Sequence, residues 1–131
     1  MLVDQFDVFL LDLDGVVYVG DTLLSGVTEA LASLRSRGRV VRFVTNDPRP
    51  SRKDVVHRLG RLGVRATVEE IVSSGWATAC WLRQQGITRA YVVGCQIPGL
   101  VEAERLFCIQ AALPMVWFSA KCVASISAGV W

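Results

Sequence analysis

Histidine is almost absent from this chain: His57 is the single one in 131 residues. It stands among Arg and Asp in a predicted helix, which is the setting of a surface residue more than of a catalytic one. Cysteine is sparse as well. Cys80, Cys95, Cys108 and Cys122 are widely scattered, with no CxxC pair and no histidine beside them, so reduced thiols are expected and not a metal or redox centre. An excess of one charge is also lacking. Fourteen Lys and Arg against 12 Asp and Glu leave +2, too little to draw in nucleic acid or an acidic membrane surface. The basic residues are nearly all Arg and are spread along predicted helices, as on solvated helix faces. The opening MLVDQFDVFLLDLDG has acids where a secretory signal needs bases, and its apolar stretch is short. A cytoplasmic protein is therefore expected. No GxGxxG follows the first predicted strand and no GxxxxGK[ST] occurs anywhere, which removes dinucleotide and P-loop readings.

What the chain does have is apolar material, 52% of its residues, enough for the core of one domain of ordinary size. Phe6 to Leu11 is an apolar run broken only by Asp7, the pattern of a strand buried on both faces. Val16–Val19 and Thr22–Leu24 flank Gly20-Asp21 and predict a small hairpin. Val27, Ala30, Leu31 and Leu34 recur at helical spacing, with Gly38 as the stop. Val40 to Thr45 is a second buried strand. The Asn46-Asp47-Pro48-Arg49-Pro50 stretch is a loop, since neither proline fits a strand or a helix interior. Ser51 with Asp54 marks a helix start; Val55, Val56, Leu59 and Leu62 form its inner face and Gly63 ends it. Thr67 with Glu70 is a second cap-like pair, leading into a strand at Ile71–Ser73. A helix from about Trp76 to Gln85 stops at Gly86, Ala90 to Val93 reads as a strand, and a helix near Leu100 to Phe107 follows. Strands alternating with helices predict an α/β fold with a parallel, doubly wound sheet.

After Arg105 the character changes. Residues 106–131 carry a single charge, Lys121, and have no clean period. Gln110, Pro114 and Lys121 interrupt the apolar stretch, which argues against a membrane-spanning helix. Two readings stand for this tail: a packing segment of unusual composition, or sequence foreign to the fold, as a shift of reading frame would produce. Membrane attachment through the tail is a third, weaker reading.

The run that carries chemistry is Asp12-Leu13-Asp14-Gly15. Two carboxylates two residues apart lie at the C-terminal end of a predicted buried strand, where open α/β sheets bind ligands. Their repulsion is costly unless a cation or a proton is shared between them. That points to Mg²⁺, which favours carboxylate and phosphate oxygens and retains water. One carboxylate can then attack phosphorus, and the other can protonate the leaving oxygen and later take a proton from water. Gly15 lets the chain turn sharply and bring backbone N–H groups near a phosphate. On its own the tetrapeptide also fits a solvated turn. A calcium loop fits less well, because the distal Glu of an EF-hand is absent. A second strand ending in Val44-Thr45-Asn46 strengthens the phosphate reading, since a hydroxyl and an amide at a neighbouring strand end can both bond a phosphate oxygen.

These segments together resemble the N-terminal part of the haloacid dehalogenase superfamily of phosphatases. The nearest class contains the NagD-like, phosphoglycolate and 4-nitrophenyl phosphatases. The matching text is LLDLDGVVYVGDTLLSG, VVRFVTND, SRKDVVHRLGRLGV, VEEIVSSGWATACWL and AYVVG, in order from about residue 6 to about residue 100. The resemblance implies a three-layer Rossmann-like parallel sheet, with residues 1–88 as the N-terminal half of the core. Residues 89–107 would begin a cap domain and 108–131 would be an apolar tail with no assigned element. It implies a Mg²⁺-dependent phosphomonoester hydrolase acting through an aspartyl-phosphate. Asp12 would be the nucleophile and a metal ligand. Asp14 would be the general acid/base and a metal ligand through its backbone carbonyl. Thr45 would bind the phosphate and Asn46 would help shape the site, while Val16 to Leu24 would form a mobile flap. The implied partner is a small phosphorylated metabolite, with no nucleic acid and no membrane, and a homo-oligomer is allowed. The chain departs from the family in four places. A later Lys and a later Gly-Asp-x-x-x-x-Asp stretch are missing: Lys53 comes too early, Lys121 has no such setting, and no acid follows Glu104. Asp47 stands where Asn is usual, and Trp76 where a small residue is usual. An incomplete enzyme is therefore expected, the alternative being a non-catalytic remnant that binds metal or phosphate weakly or serves a protein interaction.

Overall fold

The computed structural model describes residues 2–87, 89–93 and 107–111. After a short 3-10 turn at Leu2–Asp4, strand β1 (Val8–Asp12) runs into the hairpin β2 (Tyr18–Val19) and β3 (Thr22–Leu23). Helix α1 (Val27–Ser36), strand β4 (Val40–Thr45), helix α2 (Arg52–Arg61), a 3-10 turn (Val68–Glu70), strand β5 (Ile71–Ser73) and helix α3 (Ser74–Gln84) follow. β1, β4 and β5 form a parallel sheet in that order. With a helix in each crossover, this is the Rossmann-like α/β arrangement expected. Strands β6 (Arg89–Val93) and β7 (Phe107–Ala111) pair in parallel as a separate two-stranded sheet.

One face of the main sheet carries the core. Leu31 of α1, Val41 and Phe43 of β4, Val55 and Leu59 of α2, Val64 just after α2, and Ile71 of β5 are all buried in one cluster with Leu13, Val17 and Tyr18. The alternation of β4, with Val41, Phe43 and Thr45 inward, is what a two-residue period dictates. α2 is entered through a full capping box. Ser51 Oγ accepts from the Asp54 N–H at 3.1 Å, and Asp54 Oδ2 accepts from the Ser51 N–H at 2.9 Å. Thr67 and Glu70 repeat the device ahead of β5. Glu70 is also paired with Arg35 of α1 at 3.1 Å, which ties that turn to the first crossover helix. Gly63, at φ 84°, takes the left-handed conformation that stops α2.

Two expectations need correction. β1 is not buried on both faces: Val8 is 52% and Leu10 68% exposed, while only Phe9 and Leu11 turn inward. Among the described residues the core packs on the Phe9 and Leu11 face and no layer covers the Val8 and Leu10 face, a difference that the apolar letters of the strand do not carry. Helix α3 begins at Ser74, two residues before the expected start, because Ser73 Oγ accepts from the Trp76 N–H and caps it there. Strand β7 runs across the expected 107/108 division, and its residues 108–111 pair with the strand opened at Arg89. The expected helix near Leu100 lies outside the described residues, except for Phe107, which opens β7. Cys80 is a free, half-buried thiol. No helix among the described residues is long and apolar enough to cross a membrane.

Replacing Ser51 by Ala should cost about 1 kcal/mol of stability, the usual effect of a lost N-cap, read as a lower urea midpoint. The Ser51 hydroxyl and backbone N–H hold the Asp54 carboxyl below its ordinary range. A carboxyl depressed on folding stabilises above its unfolded pKa and loses that effect as pH falls through the folded value. The stability gap between the protein and Asp54→Asn should therefore close as the pH drops below about 4.

Candidate active site

β1 ends at Asp12 and β4 at Thr45, and the parallel register sets Asp12 opposite Val44, so both strands stop at one end of the sheet. Beyond β1 the chain makes a tight loop. Gly15, at φ 84°, is in a conformation that side-chain-bearing residues avoid. Its N–H donates to the Tyr18 carbonyl at 2.8 Å, while Val17 and Tyr18 N–H groups donate back to the Leu13 carbonyl at 2.9 and 3.1 Å. Leu13 is buried beneath the loop, which leaves Asp12 and Asp14 exposed on either side of it.

Asp14, Thr45 and Asp47 line a common cleft of about 270 Å³, together with Tyr18, Pro50, Asp54, His57, Arg58 and Arg61. The structure therefore brings Asp14 and Thr45 together. Asp12 is at the adjacent strand end, outside the cleft lining. Asn46 is exposed, and its carbonyl accepts from Ser74 Oγ at 3.1 Å. Thr45 is 5% exposed, and its Oγ1 accepts from the Asp47 N–H at 3.1 Å. With the acceptor side of that hydroxyl engaged, its own proton is left to donate to a ligand oxygen.

Asp47 carries a negative charge where the family resemblance gives Asn, and the structure shows how it is held. Arg49 Nε and Nη2 meet its two carboxylate oxygens at 2.9 Å each, and the Arg49 N–H adds a third bond at 3.0 Å. The Arg49 side chain pulls the Asp47 carboxyl below the usual carboxylate range. Trp76, the other departure, takes the Arg52 guanidinium over its ring at 4.7 Å.

Sequence reasoning did not assign Tyr18, Asp47, Arg58 or Arg61 to the site. The signal was present on α2, where Asp54, His57, Arg58 and Arg61 follow i, i+3, i+4, i+7 spacing and so share one polar face. His57 is exposed, as expected, yet it lies on the cleft wall. Burial pushes the Tyr18 phenol upward in pKa, with the Asp14 carboxylate adding to this, Arg58 opposing it, and Asp47 and Asp12 adding further. One phenol thus senses all three carboxylates.

The donor chemistry suits a hard divalent cation. Asp12 and Asp14 offer exposed carboxylates and nearby backbone carbonyls, the oxygen set that Mg²⁺ takes while retaining water. Among the described residues no group of three or more acidic, His or Cys side chains gathers to hold a metal. Water or substrate oxygens would complete such a shell.

A family model described as haloacid dehalogenase-like hydrolase matches residues 9–105, so the chain belongs to that family. It is 40% identical to phosphoglycolate phosphatase 2 of Arabidopsis thaliana over 97 residues, covering 71% of this chain and 32% of that protein. The 4-nitrophenylphosphatase of Schizosaccharomyces pombe is 37% identical over 82 residues, covering 63% of this chain and 28% of that one. Among solved structures, 4-nitrophenylphosphatase from Thermotoga maritima superposes with a TM-score of 0.71 at 28% identity, covering 79% of this chain and 40% of that one. A glycerol phosphate phosphatase from Mycobacterium tuberculosis in complex with magnesium gives 0.68 at 30% identity, covering 84% and 33%. The chain spans about a third or less of the length of these curated relatives.

The Tyr18 phenol should titrate above its ordinary value of about 10, followed as the phenolate absorbance that is lost in Tyr18→Phe. A raised phenol pKa stabilises the fold below the unfolded value and loses that effect as pH rises through the folded one. Asp14→Asn should bring the Tyr18 transition down. An unchanged transition would separate Asp14 from the Tyr18 hydroxyl.

Proposed function

We propose that this chain carries the nucleophile-bearing part of a Mg²⁺-dependent phosphomonoester hydrolase that works through an aspartyl-phosphate. The observation that supports this most is the meeting of Asp12 and Thr45 at the ends of hydrogen-bonded parallel strands, with Asp14 and Thr45 lining one cleft. Membership of the family and the phosphatase names of its relatives point the same way.

In this reading a carboxylate oxygen of Asp12 bonds to phosphorus while the bond to the ester oxygen breaks. Asp14, protonated at the start, gives its proton to the departing oxygen, so the alcohol leaves neutral. The ionised Asp14 then takes a proton from water as the water oxygen attacks the same phosphorus. Phosphate leaves and the Asp12 carboxylate is restored. The Thr45 hydroxyl donates to a phosphoryl oxygen throughout. Asp12 and the Asp14 backbone would hold Mg²⁺, whose charge offsets the repulsion between carboxylate and phosphate. The substrate class is a small phosphorylated metabolite, because the relatives are named for phosphoglycolate, glycerol-3-phosphate and 4-nitrophenyl phosphate.

Positive charge is the scarce component. Among the described residues no lysine lines the cleft; its cationic residues there are Arg58 and Arg61, with His57 beside them. Steady turnover of 4-nitrophenyl phosphate should consequently run at least about 10²-fold below that of a longer relative assayed alongside, the usual effect of one missing charge-stabilising contact. The first chemical step is tested separately. Exposure to labelled acetyl phosphate with Mg²⁺, then acid quenching, should leave a hydroxylamine-labile label on Asp12. Label that persists in Asp12→Asn, or that forms equally without Mg²⁺, contradicts the proposal.

A further inference from the structure

Arg58 makes more contacts across the molecule than its place on an exposed helix face would suggest. Its guanidinium lies over the Tyr18 ring at 4.3 Å, and Nη2 donates to the Gly20 carbonyl at 2.8 Å. Asp21 Oδ1 stands 3.7 Å from the same nitrogen. One side chain of α2 therefore grips both β2 and the turn that joins it to β3. Its base is firm, because Val55 and Leu59, on either side of it in α2, are buried in the core. The grip is not without cost, since Arg58 Nε is buried with no hydrogen-bond acceptor among the described residues. The Tyr18 stack and the Gly20 bond must outweigh that.

Tyr18 links this grip to Asp14. The Tyr18 carbonyl accepts from Gly15, its N–H donates to Leu13, and Asp14 forms a bridge with Tyr18. Leu24 N–H then closes the hairpin onto the Val17 carbonyl at 3.0 Å. Movement of Tyr18 would thus carry the backbone on both sides of Asp14 with it. We propose that Arg58 is a positioning residue: it clamps the Tyr18–Gly20 hairpin to α2 and so fixes where Asp14 faces the cleft. The consequence for phosphate rests on the function proposed above, whereas the clamp itself does not. Lysine is a poor substitute, having neither the flat face that stacks on Tyr18 nor the fork that reaches Gly20 at the same time. Asp21 is 91% exposed, so its share in the clamp is small.

The test compares Arg58→Met, Arg58→Lys and Asp21→Asn in the full chain by amide hydrogen exchange. It also follows binding of inorganic phosphate with Mg²⁺, read from the amide shifts of Gly15 and Thr45. In Arg58→Met, protection at Gly15, Tyr18 and Leu24 should fall about tenfold, the scale of one lost stack and hydrogen bond. Phe43 and Leu59 should stay close to their original protection, and phosphate should bind more weakly. Arg58→Lys should fall between, and Asp21→Asn should match the unsubstituted protein. Unchanged protection of the hairpin, or an equal loss at Phe43 and Leu59, would overturn the clamp. If the hairpin loosens in Arg58→Met while Asp14→Asn leaves phosphate binding untouched, the clamp stands and the phosphate reading of the site falls.

Discussion

Parallel pairing of Val8–Asp12 with Val40–Thr45 is the constraint on which the site depends. Parallel strands that start together end together, so whatever residues follow them share one rim of the sheet. Here those residues are acidic on one strand and hydroxyl-bearing on the next. A slip of one position would turn Phe43 out of the core and Thr45 away from the cleft, because side chains alternate along a strand. The core thus enforces the register, and the register assembles the site. Leu13 extends the same logic past the strand end: its burial anchors the loop between Asp12 and Asp14 and leaves both carboxylates at the surface.

Asp12, Asp14 and Asp47 all act on one buried phenol, so this rim of the sheet is rich in negative charge. The molecule relieves part of it locally. Arg49 neutralises Asp47 with a two-pronged ion pair, and Arg58 lies over Tyr18 from α2. Asp12 and Asp14 have no ion pair in the structure's salt bridges among the described residues. A rim of this kind suits a divalent cation brought in with phosphate better than it suits a bare anion.

Elements defined by local chemistry were legible in the sequence. Ser51 with Asp54 and Thr67 with Glu70 formed the capping boxes their spacing predicts, and the hairpin formed around Gly20-Asp21. β4 spans the predicted residues. Properties that depend on distant neighbours were not legible. Val8 and Leu10 read as buried because an apolar run has the same letters whether or not another layer covers it. Phe107–Ala111 sits in a segment without period, and only its pairing with Arg89–Val93 makes it a strand. At the site, Asp12, Asp14 and Thr45 stood out as a motif at strand ends. Tyr18 and Arg58 did not, since their roles arise where a hairpin meets a helix face 40 residues further on in the chain, and nothing in the sequence between them marks the contact. Asp47 was visible as a departure, but its partner Arg49 emerged only from the loop geometry.

The most direct measurement is a crystal structure of this chain with Mg²⁺ and beryllofluoride, a tetrahedral mimic of a phosphoryl group bonded to a carboxylate. The account places beryllium on an Asp12 oxygen, with the Thr45 hydroxyl donating to a fluorine and Asp14 facing the group from the cleft. Beryllium bonded to Asp14 or Asp47, or a fluoride group held at Arg58 and Arg61 with Asp12 untouched, would contradict it.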